Sequence, residues 1–242
     1  MSEELTKLVE GLKQTHGSRL VSIVLYGSAI TGDFDPERSN YNVLVVLEAV
    51  TPADLRAARP LIEEWQGHGH PLPLYFTREE IADALDVFPM EFLDMSAAHR
   101  VLYGEDPLAG LEVPLLHLRH QLEYELRGKL IRLRELYIPA SGSAERVTAL
   151  MTDSIVSFTV LFRHALRFFG LSELPMRRRE VVERLGEVLS LDVTPFRAIL
   201  DLREAKRSLP VEEAERLFAA YLEALQEVIE RIDQIDQLEV RP

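Results

Sequence analysis

The sequence predicts an α+β chain: an α/β domain with a small mixed sheet over residues 1–112, followed by an all-α helical bundle over residues 113–242. Three observations carry this. Short β-branched apolar runs alternate with helical segments in the first part. From about residue 116 leucines recur at helical spacing. A hydrophobic content of 47% in 242 residues is enough to give both parts a core.

The elements follow in order. Leu5, Leu8, Val9 and Leu12 fall on one face of a first amphipathic helix. The run RLVSIVLYGS is β-branched and apolar, as a buried strand should be, and it ends in Gly27-Ser28. AITGDFDPERSN reads as a short helical turn and a polar loop, and YNVLVVLE as a second strand. In TPADLRAARPLIEEW, Thr51 is placed to cap a helix, with Pro52 in its first turn and Asp54 near its positive end. PLPLYFT fits a third strand. Beyond it, Leu115, Leu118, Leu122, Leu126, Leu130 and Leu133 trace one face of a long helix expected to end near Tyr137, where IPASGSAER intervenes and offers Ser143 as the next cap. Residues 145–169 form an unusually apolar helix (Leu150, Ile155, Phe158, Phe162, Leu166), expected at the centre of the bundle and ended by Gly170. RRREVVERLGEVL and PFRAILDLREAKRSL read as shorter helices, and residues 211–238 as a last long one.

Composition excludes several chemistries. The chain has no cysteine, so disulfides, thiolate zinc sites and cysteine nucleophiles are ruled out. No uninterrupted apolar stretch reaches the length of a membrane span, and the N-terminus is charged and amphipathic, so a cytoplasmic protein without membrane partners is expected. The net charge of -13 is concentrated early: residues 1–115 carry 8 Lys+Arg against 19 Asp+Glu. Such a surface repels a nucleic-acid backbone, which argues against nucleic acid as a partner and leaves small ligands open. His68 and His70, in QGHGHPLP, and His117 and His120 lack a nearby acidic ligand at metal spacing and read as structural.

A glycine and a serine between a buried strand and a helix start put backbone N–H groups and a hydroxyl where an anion can sit. Gly27-Ser28 is followed by Gly32 and then by Ser39-Asn40-Tyr41-Asn42 at the head of the next strand. This layout resembles the nucleotidyltransferase superfamily related to DNA polymerase β, whose signature is a strand, Gly-Ser and then Ser-Asp-x-Asp opening the next strand. With a bundle behind it, it looks like the aminoglycoside nucleotidyltransferase branch, and HRVLYGEDPL is similar to the junction those proteins use to enter the bundle.

The resemblance implies a nucleotide site with Gly27, Ser28 and Ser39 against the phosphates and Arg127 and Lys129, on the locally basic first bundle helix, able to receive them. It also implies two motif aspartates and a third carboxylate that hold Mg²⁺. Here the pattern breaks: Asn40 and Asn42 occupy the aspartate positions, and the third-ligand strand offers Leu74 and Tyr75. A carboxamide lends an oxygen but no charge. The expectation is therefore a pseudoenzyme with a degenerate metal motif and no cofactor, which binds a nucleotide, another small molecule or a protein. The alternative is an active enzyme that moves a nucleoside monophosphate from a nucleoside triphosphate to a small hydroxyl acceptor through an atypical Mg²⁺ site, with Asp33, Asp35 or Glu48 as substitute ligands. Glu123, or its neighbour Glu125, would then be the candidate base, although i,i+4 pairing of Glu123 with Arg127 and of Glu125 with Lys129 describes an ordinary helix surface. Arg127 and its basic neighbours have a similar plain reading as an interdomain salt-bridged face. A third alternative is an oligomerising interaction module, and pairing with a second copy stays open.

Overall fold

In the computed structural model, which describes residues 2–31, 40–171, 173–207 and 209–234, the chain divides into two compact units, Met1–Pro114 and Leu115–Pro242. The first opens with α1 (Glu3–His16), capped by Ser2, whose hydroxyl accepts the Leu5 N–H. The sheet strands are β1 (Leu20–Tyr26), β2 (Asn42–Leu47), β3 (Leu74–Phe76) and β4 (His99–Gly104). They lie in the order β3-β2-β1-β4, with β1 antiparallel to both neighbours and β2 parallel to β3, so the sheet is small and mixed as predicted. Between them run α2 (Ser28–Thr31), α3 (Pro52–Gly67), α4 (Arg78–Asp83) and α5 (Pro89–Ala97).

Strand alternation sorts the core into two layers. Ile23, Leu25, Val43, Val45 and Leu47 face α1 and α3, where they meet Leu5, Leu8, Leu12 and Trp65. Val24, Leu44 and Val46 face the other way, onto Ile81, Phe92, Met95 and Leu108. Each such side chain, fully removed from water, contributes about 1.5–3 kcal/mol. Thr51 caps α3 in a reciprocal capping box with Asp54, as its position predicts.

The sequence reading differs from the structure at three places in this unit. HRVLYGEDPL is not only a junction: its first six residues form β4, an edge strand whose register slips opposite Ile23 and Val24. Gly104 closes it at φ +77, and a Cβ there would lie 1.9 Å from the Val21 carbonyl oxygen. The third strand is shorter than PLPLYFT, because Pro71 and Pro73 have no N–H for a ladder. The sequence reading places no helix where α4 and α5 lie. α4 is held at its start by a second capping box, Thr77 with Glu80.

The second unit is all helix: α6 (Leu115–Ala140), α7 (Ala144–Phe168), α8 (Arg178–Leu189), α9 (Thr194–Ala205) and α10 (Val211–Gln234). α7 packs on α6, α8, α9 and α10, the central position its apolar sequence predicts. Phe158, Phe162, Phe196 and Tyr221 form its aromatic heart, with ring centroids 5.2–6.4 Å apart. α6 runs three residues beyond the expected stop at Tyr137, carrying Pro139 in its last turn. Glu215 of α10 explains the extension: it accepts the Gly142 N–H at 2.9 Å and the Tyr137 hydroxyl, and so seats the end of α6.

Candidate active site

The Gly-Ser turn lies at the end of β1, where Tyr26 is flanked in register by Asn42 of β2 and His99 of β4. Partners across an antiparallel ladder share a face, so these three side chains form one row. Gly27 leaves the strand at φ +82, a conformation that L side chains rarely adopt. Its N–H donates to the Ala98 carbonyl at 2.9 Å, and its own carbonyl accepts the Ile30 N–H at 2.9 Å. The expected free donor at Gly27 is thus already engaged, and its role is to turn the chain. Ser28 then opens α2, which is a single turn.

Asn42 packs directly on this turn, because a Cβ built on Gly27 would lie 3.0 Å from its Nδ2. His99 is fixed on the opposite side of Tyr26, its Nδ1 3.1 Å from the Ser96 carbonyl oxygen and its Nε2 3.1 Å from Asp106 Oδ2. Burial pushes the Tyr26 hydroxyl pKa up. At Asp106 burial acts in the same direction, yet hydrogen bonds from His99 and the Leu108 N–H together hold its carboxyl below the usual range. Asp106 follows β4, and its carboxylate reaches back to His99, the β4 member of the row.

Asn40 is exposed just ahead of β2. Leu74 pairs with Leu44, on the same face as Asn42, and puts an alkyl group on the third-ligand strand. Tyr75 pairs with Val45 and turns to the α1 side, where it meets the His16 ring edge-on at 5.9 Å. Burial pushes its pKa up to about 12. Glu48 follows the far end of β2, roughly 20 Å along the strand from Asn42. Ser39, Asp33 and Asp35 lie outside the described residues. Among the described residues no three His, Cys, Asp or Glu side chains are grouped to hold a metal ion, and the Asn40–Asn42 pair does not supply the negative oxygen ligands that Mg²⁺ takes.

In the second unit, Glu123 accepts a 2.7 Å hydrogen bond from Arg127, and buried Arg119 lies 3.8 Å away. Asp233 of α10 faces both arginines, at 3.5 and 3.7 Å. Glu123 therefore takes part in a four-residue ionic network linking α6 and α10, the helix-surface role that its spacing from Arg127 allows. Arg127 is half-exposed within that network, and Lys129 is half-buried two residues on. Asp233 carries no sequence signal for this contact, since it lies more than a hundred residues from its partners.

No protein-family model matches the sequence, and no curated protein does. Among solved structures the chain is similar to spectinomycin adenyltransferase AAD(9) from Enterococcus faecialis, a structure holding ATP and spectinomycin. The two share 11% identity at a TM-score of 0.57, over 96% of this chain and 98% of that one. The chain has a nucleotidyltransferase fold. The likeness covers both the unit with the mixed sheet and the helical unit. Among the described residues no helix is long and apolar enough to cross a membrane.

Proposed function

We propose that this nucleotidyltransferase-fold protein binds a nucleotide or a comparable small ligand in its first unit without transferring a nucleotidyl group. The observation that carries the reading is the Tyr26 row. Asn42 heads β2 with its amide against Gly27, and its neighbours across the sheet are Tyr26 and His99, not carboxylates. A Mg²⁺-dependent transfer needs ions held by one or two carboxylates together with the substrate phosphates. Metal-centred stabilisation is worth several kcal/mol and each ~1.4 kcal/mol is tenfold in rate, so its loss costs about 10³-fold or more. ATP is the first probe to use because the structural neighbour holds it.

The test is calorimetric titration of ATP with and without Mg²⁺, followed by a pyrophosphate-release assay with spectinomycin and simple polyols as acceptors. The reading expects an ATP affinity that Mg²⁺ leaves within about twofold, with no pyrophosphate above background. Binding strengthened tenfold or more by Mg²⁺, with pyrophosphate released when an acceptor is added, overturns it. If ATP fails to bind at all, the nucleotide is the wrong ligand.

A further inference from the structure

The face of the sheet opposite Asn42 carries a cavity. The first half of α1, the C-terminal end of α3 and Tyr41 enclose a cleft of about 550 Å³, within the usual size of a small-molecule site. Its apolar surface comes chiefly from Tyr41 and Leu61, with buried Leu8 and Trp65 behind them. Its charged groups are Glu3, Glu4, Glu64 and Lys7, and Lys7 is already paired with Glu64. Among the described residues the lining carries three carboxylates against one lysine, which is paired.

The lining is pre-organised. The indole N–H of Trp65 donates to the Pro71 carbonyl at 2.8 Å, which fixes the ring, and the His70 ring sits 4.1 Å from it. His70, 7% exposed at its side chain, stands between two elements: its Nδ1 accepts the Tyr41 N–H at 3.5 Å, and its Nε2–H donates to Glu4 Oε2 at 3.0 Å. His68 Nδ1 lies 3.5 Å from the other oxygen of Glu4. Glu4 is therefore oriented by two imidazoles. A carboxylate has about four acceptor positions, so it retains capacity for a ligand.

Apolar walls favour an apolar body, an aromatic ring and surplus carboxylates favour a cationic nitrogen, and the excess of carboxylates over lysine in the described lining disfavours an anion. We propose that this cleft binds a small organic cation, an ammonium group on a compact aromatic or branched apolar body, with Glu4 and Glu64 facing the charge, Tyr41 and Leu61 the body, and Trp65 packed behind them. The site is separate from the nucleotide reading and stands or falls without it. It nevertheless touches the same segment, since the Tyr41 N–H held by His70 lies between Asn40 and Asn42.

Trp65 is the only tryptophan in the chain, so intrinsic fluorescence of the full-length protein reports on this cleft directly. The probe is phenethylamine, with 2-phenylethanol as neutral isostere and 3-phenylpropionate as anionic control. The expected result is a saturable change with the amine, binding of the alcohol at least about fivefold weaker, and no saturable change with the acid. Glu4→Gln and Glu64→Gln should each weaken the amine about two- to fivefold, the worth of one partly exposed charge contact. Glu64 is exposed, so Glu64→Gln keeps the test valid should Glu4→Gln perturb the fold. A flat response to phenethylamine, equal affinity for the alcohol, or amine affinity unchanged in Glu64→Gln overturns the proposal. No nucleotide enters the experiment, so its failure is distinct from failure of the nucleotide reading.

Discussion

Replacing Gly27 with alanine tests whether the turn after β1 is built as described. At φ +82 an L side chain costs about 1–2 kcal/mol in backbone conformation alone. The new Cβ would sit 3.0 Å from Asn42 Nδ2, which must shift by a few tenths of an ångström and adds about 1 kcal/mol of crowding. The two effects together amount to about 2–3 kcal/mol. Trp65 lies in the first unit, in the core layer under α1 and α3, so urea unfolding followed by its fluorescence reads that unit selectively. With a slope of about 2 kcal/mol/M, the midpoint should fall by about 1–1.5 M. In an Asn42→Ala background the contact is absent, and the cost of Gly27→Ala should shrink to the backbone part, about 1–2 kcal/mol. A midpoint for Gly27→Ala within about 0.2 M of the parent refutes the geometry, because an ordinary strand end would tolerate the methyl group in that way.

Two further predictions concern ionisable groups packed under α1 and α3. The hydroxyl of Thr51 donates to Asp54 at 2.6 Å and is the main cause that lowers the Asp54 pKa, against the opposing effect of burial and with help from the Thr51 N–H and Arg19. A depressed folded-state pKa contributes stability above the ordinary value of 3.8 that is lost as pH falls through and below it. The stability difference between the parent and Asp54→Asn should accordingly be constant from pH 7 to about pH 5 and shrink below about pH 4; a difference that stays flat to pH 2.5 in thermal melts contradicts this. Tyr75 has a buried hydroxyl with no hydrogen-bond partner among the described residues and a pKa pushed up to about 12 by burial. Tyr75→Phe should leave stability unchanged or raise it by up to about 1 kcal/mol, with the tyrosinate absorbance below pH 11 unaltered. A stability loss above about 1 kcal/mol shows that the hydroxyl has a partner, and a missing absorbance step near pH 10 shows that it is not buried.

The elements that repeat a pattern were legible in the sequence. The leucine spacing of α6, the greasy centrality of α7 and the Thr51 cap each rest on local chemistry, and each appears where that chemistry puts it. β4 was not legible, because an edge strand with a half-exposed pattern and a register slip shows little alternation; only its pairing with β1 makes it a strand. The site was legible as a list of positions but not as an arrangement. That Gly27 donates its N–H to Ala98 depends on the junction of α5 and β4 arriving from about seventy residues away, and that Asn42 packs on it depends on the register of β2 against β1. Glu4 is the sharpest case. The QGHGHPLP histidines showed no acidic neighbour in sequence, and their carboxylate comes from the first turn of α1, 66 residues from His70.

The central claim is that the Asn40–Asn42 segment cannot hold divalent cations, and Mn²⁺, which is paramagnetic and shares the oxygen preference of Mg²⁺, tests it directly. Electron paramagnetic resonance titration of the protein with Mn²⁺ in the presence of ATP should show no bound metal beyond that carried by the nucleotide itself, whereas Asn40→Asp/Asn42→Asp should gain a protein-dependent signal. A stoichiometric, protein-bound Mn²⁺ signal in the unsubstituted chain at submillimolar metal would contradict the account.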